Sequence, residues 1–313
     1  MGDHRLLALV LLIGAAPLGA RADEPAPAKG PGPNGVDGRK VFMRHCAPCH
    51  GAYGDGEGRA ARFLPVRPRD FTAGSFRFRT TPSGTPPTDD DLVRTIQRGI
   101  PGTPMPSWLG VLSEQEIRAV VPVLRSFGPP DLPQPKPSDS MAIPAPPPET
   151  AAAIQRGRST FLVMQCWSCH GLQGGGDGPS SNALKDDRER PIKALNFRKG
   201  YLKGGGRPED VYRTLLTGLD GSPMPSFRDA LVLTRDSFQD LSGISPAISP
   251  AELKELEAFI ATLPSQADFD KLSDADRDAL QATWRWDLVY YVRSLGRRNA
   301  FARWALDDPY LTQ

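Results

Sequence analysis

Two pentapeptides constrain this chain more than anything else in it. Cys46-Ala47-Pro48-Cys49-His50 and Cys166-Trp167-Ser168-Cys169-His170 share one spacing and between them use all four cysteines of the sequence. Cys-x-x-Cys-His is the attachment pattern of a c-type haem. Two thiols a helical turn apart can reach the two vinyl groups of one porphyrin, and the residue that follows offers its imidazole to the iron. Read this way, the chain holds two covalently bound haem c groups, attached through Cys46, Cys49, Cys166 and Cys169, with His50 and His170 as iron ligands. The other reading is a pair of zinc half-sites or two small disulfides. Zinc would need the two cysteine pairs to converge across 166 − 49 = 117 positions of proline-rich chain, far from the ribbon spacings that make such motifs convincing.

The duplication extends past the motifs. Arg94-Thr95-Ile96-Gln97-Arg98-Gly99 through Pro104-Met105-Pro106-Ser107-Trp108 aligns with Arg213-Thr214-Leu215-Leu216-Thr217-Gly218 through Pro223-Met224-Pro225-Ser226-Phe227. The offset is 213 − 94 = 119 and 224 − 105 = 119, against 166 − 46 = 120 for the cysteines. Both halves follow one plan. A length of 313 residues agrees with two domains. With 38 Lys+Arg against 36 Asp+Glu, charge gives no basis for nucleic-acid or acidic-lipid binding.

Motifs, repeat and loops together resemble the class I c-type cytochrome family, fused in tandem as a dihaem cytochrome, over residues 37–128 and 150–298. The resemblance implies an all-α fold: two tandem cytochrome c-like domains, each a small helical fold around one covalently attached haem. It implies that a glycine and an aromatic of the first helix pack on the last helix of each domain, which Gly38 and Phe42 match. In the second copy Gly157 and Phe161 keep the step, but Phe161 lies five residues before Cys166, so Leu162 is expected to take the packing position. It further implies a prolyl carbonyl on the proximal histidine's other nitrogen, for which Pro65 and Pro68 are candidates, and a distal methionine after a loop.

Along the chain, Arg5, an apolar run from Leu6 to Ala16 and the Ala20-Arg21-Ala22 pattern read as a signal peptide, residues 1–22. The run of eleven residues is short of the roughly 20 needed to span a bilayer, which counts against an uncleaved anchor, and no later segment of the mature chain reads as a transmembrane span. Residues 23–36 read as a flexible leader, 37–128 as domain 1, 129–149 as a linker, 150–298 as domain 2 and 299–313 as a tail. Asp37 caps a helix that puts Gly38, Phe42 and Cys46 on one face. Glycine-rich turns with Asp55 and Asp177 follow the motifs, and Arg67 to Phe71 and Ala194 to Arg198 pass round each haem. Thr88 to Asp91 and Ser113 to Glu116 read as capping boxes, and Pro208 as a first-turn proline. Pro122 is expected to kink the helix that closes domain 1 or break its hydrogen bonding, leaving its packing open. Nine of the twenty residues from 129 to 148 are proline, so the linker is expected to be extended and semi-rigid. Domain 2 carries an insertion at about 229–283, with helices expected from Ser249 and from Ser273.

The second axial ligands can be counted. His4 falls in the signal peptide and His50 and His170 are assigned, so only His45 remains and bis-histidine ligation at both irons is excluded. Met105 and Met224 lie 105 − 50 = 55 and 224 − 170 = 54 residues after their histidines, each as Pro-Met-Pro, and flanking prolines favour an extended backbone. Met43 and Met164, just before the cysteines, read as packing residues. A thioether as sixth ligand raises the potential and closes the iron to substrate. The expected protein is therefore an electron carrier rather than an enzyme, periplasmic or otherwise exported. Its expected partners are a redox protein donor and acceptor, with a membrane respiratory complex or dehydrogenase among the candidates. The alternatives are a catalytic dihaem cytochrome, peroxidase-like or sulfur-oxidising, with one displaceable distal ligand, or the haem subunit of a larger dehydrogenase complex.

Overall fold

The computed structural model describes residues 35–297. The expected signal peptide, the leader up to residue 34 and the tail lie outside the described residues. The fold is all-α, as expected of two tandem cytochrome c domains: ten α-helices and several short 3₁₀ turns, with no strand among the described residues.

In the first half, the Asp37 carboxylate accepts the Lys40 amide at 3.1 Å and starts α1, Gly38–His45. α2, Ala47–His50, carries the first haem motif. α3, Asp89–Arg98, opens on a reciprocal Thr88/Asp91 box and α4, Glu114–Ser126, on a Ser113/Glu116 box, each satisfying backbone N–H groups that a helix start would leave bare. α1 crosses α4 at Gly38, where a Cβ would stand 1.8 Å from the Ala119 carbonyl oxygen. One turn on, the fully buried Phe42 ring meets Phe127 at 5.0 Å. Pro122 neither ends α4 nor spoils this contact. It sits on the solvent side with Arg118, the residue whose carbonyl loses its amide partner, so the missing bond falls on the helix face turned to water.

The second half begins with α5, Ala151–Val163, and α6, Trp167–His170. Here the packing position is kept by Phe161, not passed to Leu162: Phe161 is 1% exposed and meets the Tyr291 ring edge-on at 5.3 Å. The extra residue is absorbed just before the motif. Gln165 adopts φ 53°, and the Cys166 amide reaches back five residues to the Phe161 carbonyl at 3.1 Å, where the Cys46 amide reaches back four to Phe42 at 2.8 Å. α7, Pro208–Thr217, starts on Pro208 as expected. The insertion supplies α8, Pro250–Ala261, capped by Ser249/Glu252, and the short α9, Gln266–Asp270. α10, Asp274–Arg297, then passes through the core, packs on α5 and α7, and is buried almost without a break from Trp284 to Arg293. Leu231 and Leu233, both 0% exposed, and Phe269 against Trp284 join the inserted segment to the same core.

The proline-rich segment lies against both halves. The Met141 amide donates to the Thr80 carbonyl at 2.8 Å, Met141 and Ile143 lie on the second core, and Tyr290 donates its hydroxyl to the Pro147 carbonyl. Several direct contacts between the halves are charged: Arg188 pairs with Asp70, Arg190 with Glu57 at 2.7 Å and Arg98 with Asp210 at 3.6 Å. No helix among the described residues is long and apolar enough to cross a membrane.

Candidate haem sites

Each motif is one tight turn. The His50 amide donates to the Cys46 carbonyl and the His170 amide to the Cys166 carbonyl, both at 2.9 Å, and Gly51 and Gly171 then turn the chain back with φ of 79° and 77°. A residue with a Cβ would strain at that φ, and here it would also strike the carboxylate oxygen of Asp55 or Asp177, 2.0 Å away in both turns. The two aspartates therefore brace turns, as the sequence suggests. Burial, with the neighbouring Cys49 thiol adding to it, pushes the Cys46 thiol up to about 12, and burial takes Cys166 to about 12 as well. Cysteines that serve as thiolate ligands or nucleophiles sit in electropositive surroundings that lower their pKa. These sit in apolar ones, which suits thiols that become thioethers on an apolar macrocycle.

The histidines are held identically in the two halves. His50 Nδ1 donates to the Arg69 carbonyl at 3.0 Å and His170 Nδ1 to the Leu195 carbonyl at 3.1 Å. A carbonyl can only accept, so Nδ1 carries the proton and the Nε2 lone pair is free for a metal. Each ring is stacked on a phenylalanine, His50 on Phe71 at 4.6 Å and His170 on Phe197 at 4.4 Å. Burial lowers the pKa of both imidazoles, with the carbonyl bond opposing it, so each ring is kept neutral and ready to ligate.

The acceptor is not the expected prolyl carbonyl. Pro68 turns its oxygen towards Gly56, 2.9 Å from where a Cβ would stand, and the next residue supplies the bond to His50. The signal for these residues lay in the alignment: 195 − 69 = 126 and 197 − 71 = 126, so acceptor and stacking ring move together, and a shared Phe two residues after the acceptor marks the place.

Met105 and Met224 occupy equivalent, half-buried positions in two loops closed in the same way. The Ile100 amide donates to the Met105 carbonyl and the Leu219 amide to the Met224 carbonyl, both at 3.0 Å. The Ser107 hydroxyl donates to Gln97 at 2.6 Å and the Ser226 hydroxyl to Leu216 at 2.7 Å, tying the loop back to the helix before it. Gly99 and Gly218 end those helices, each with φ 66° and with the loop backbone 2.5–2.6 Å from a Cβ position. Met224 packs on the second core. Met43, expected to pack, is instead 42% exposed, while Met164 lies on the second core. His45 meets the Trp108 ring edge-on at 5.4 Å.

Residues 33–122 match the family described as cytochrome c oxidase, cbb3-type, subunit III, and residues 154–264 match the cytochrome c family. The chain belongs to the c-type cytochromes, with two cytochrome c domains in tandem. Those domains imply haem c and make this cytochrome a haem-binding electron-transfer protein. It is similar to a solved chain of the Kuenenia stuttgartiensis reducing HAO-like protein complex, at 35% identity and a TM-score of 0.64, covering 83% of this chain and 95% of that one. No curated protein matches closely enough to be counted.

Proposed function

We propose that the cytochrome is an exported dihaem carrier that passes single electrons from a respiratory donor to an acceptor. Cys46 and Cys49 would hold one haem and Cys166 and Cys169 the other, with His50 and Met105, and His170 and Met224, as axial pairs. The bound group supplies a one-electron ferric/ferrous couple. The protein's part is to fix the ligands: a carbonyl sets the histidine tautomer, a phenylalanine face holds the ring, and a serine and a glycine close each methionine loop. A thioether favours the ferrous state and raises the potential. The observation that carries this reading is the duplication of the whole ligand frame, both Nδ1 tethers and both loop closures.

Met105→Ala and Met224→Ala test it. Each variant is expected to open one iron, lower the potential of that centre alone and bind one equivalent of carbon monoxide when reduced, where the parent protein binds none rapidly. Stoichiometric carbon monoxide binding by the parent would favour the catalytic alternative. Unchanged spectra in both variants would overturn the ligand assignment. The likeness to a chain of a reducing HAO-like protein complex favours a second reading, in which this cytochrome is the electron-transfer subunit of a larger redox assembly. Recovery of the protein alone and in full yield from its native envelope would count against that.

A further inference from the structure

The two methionine loops lie at the boundary between the halves, but they are held differently. Tyr201 of the second half places its ring over Gly102, 2.1 Å from a Cβ position there. The Met224 loop is instead gripped by arginines of the first half. Arg79, with a side chain 0% exposed, donates through Nη2 to the Thr217 carbonyl at 2.7 Å and to the Asp220 carboxylate at 2.8 Å. Its Nε and Nη1 donate to the carbonyls of Pro82 at 3.2 Å and Phe76 at 3.3 Å. Arg69 Nη2 donates to the Asp220 carbonyl at 2.9 Å, Arg77 reaches the Gly221 carbonyl at 3.4 Å, and the Gly84 amide donates to the other Asp220 oxygen at 3.1 Å. Thr217 ends α7 and Asp220 and Gly221 form the turn that leads to Met224.

Neither side of this grip belongs to the repeat. The position equivalent to Arg69, 69 + 126 = 195, holds Leu195, and the position equivalent to Asp220, 220 − 119 = 101, holds Pro101, which has no carboxylate for an arginine. Arg69 is also the residue whose own carbonyl holds His50. One residue thus joins the proximal histidine frame of the first site to the distal loop of the second.

We propose that Arg79 is a positioning residue for Met224, acting through Thr217 and Asp220, so that methionine ligation at the second iron depends on the docked first domain while ligation at the first does not depend on Arg79. This rests on Met224 being the sixth ligand there. Loss of these bonds would release the Asp220 turn and open the second iron.

The test uses the full holoprotein with Arg79→Gln and Asp220→Asn, probed with imidazole as external ligand to the ferric haems. Met105→Ala and Met224→Ala supply reference spectra for each opened centre. A lost hydrogen bond to a charged group is expected to raise imidazole affinity at the second haem by about tenfold or more, to weaken its methionine-to-iron charge-transfer band and to speed amide exchange at 218–224. The first haem should keep its affinity and band. Equal changes at both haems, or none at either, would overturn the proposal. Should Arg79→Gln fail to fold, Asp220→Asn decides the matter, since its side chain is partly exposed. If Met224→Ala itself leaves the second haem unchanged, the ligand assignment fails. If Met224→Ala changes it and Arg79→Gln and Asp220→Asn do not, only the positioning role fails.

Discussion

Serine in place of both Cys46 and Cys49 is expected to yield a chain with one haem and an unfolded first domain, whereas the same exchange at Cys166 and Cys169 should remove the other haem and leave most of the second half helical. The difference follows from what each half buries without a prosthetic group. The first core is built on Phe42, Phe71 and Phe127 with a set of Leu, Ile and Val from α3 and α4. The second has Phe161, Phe197 and Leu295 in the matching places, and adds Tyr212, Phe227, Trp284, Trp286, Tyr290 and Tyr291 along with Leu231, Leu233, Leu256 and Phe269 from the inserted segment. Aromatic side chains bury about 150–250 Å² each, at roughly 25 cal/mol per Å². Small domains are marginal, so losing one large apolar component is decisive in the first half and tolerable in the second. Haem-to-protein ratio and far-ultraviolet circular dichroism on both double variants measure this. Full helicity in the Cys46/Cys49 variant would show that the first core stands without its cofactor.

Much of this was legible in the sequence, for reasons that can be stated residue by residue. The haem motifs, the helix caps at Asp37, Thr88, Ser113 and Ser249, and the Pro-Met-Pro loops depend on contacts within a few positions of one another, and local chemistry is written locally. The shift of register before Cys166 was visible as a five-residue spacing, but its resolution was not. Only the structure shows Gln165 taking a left-handed conformation so that Phe161 can keep its place on Tyr291. Pro122 misled because the cost of a helix-interior proline depends on which face loses the bond, and that is a tertiary fact. The histidine tethers were out of reach for a related reason: any residue has a carbonyl, so nothing in the identity of Arg69 or Leu195 announces the role. The grip of Arg79 on Asp220 joins positions 141 apart, and without the fold each reads as an ordinary surface charge.

Gly38→Ala and Gly157→Ala are each expected to destabilise their domain by about 2–4 kcal/mol. In both halves the first and last helices touch backbone to backbone. The new methyl group would stand 1.8 Å from the Ala119 carbonyl oxygen in one case and 1.9 Å from the Asp287 carbonyl oxygen in the other. Neither obstacle is a flexible side chain. To clear it, α4 must move off α1, which parts the Phe42 and Phe127 rings, or α10 must move off α5, where Asp287 is tied to Arg156 by hydrogen bonds of 2.7 and 2.8 Å. Alanine's better helix propensity returns only about 1 kcal/mol, so strain wins. For a domain of this size the loss corresponds to about 10 °C or more in melting temperature. Gly243→Ala is the control, because nothing lies within 4 Å of the Cβ position there and its φ is not positive. That change should be neutral or stabilise by up to about 1 kcal/mol. Thermal melts of the three variants rank the effects, and a Gly38 or Gly157 variant as stable as the Gly243 control would mean that the helix crossings are looser than the backbone geometry requires.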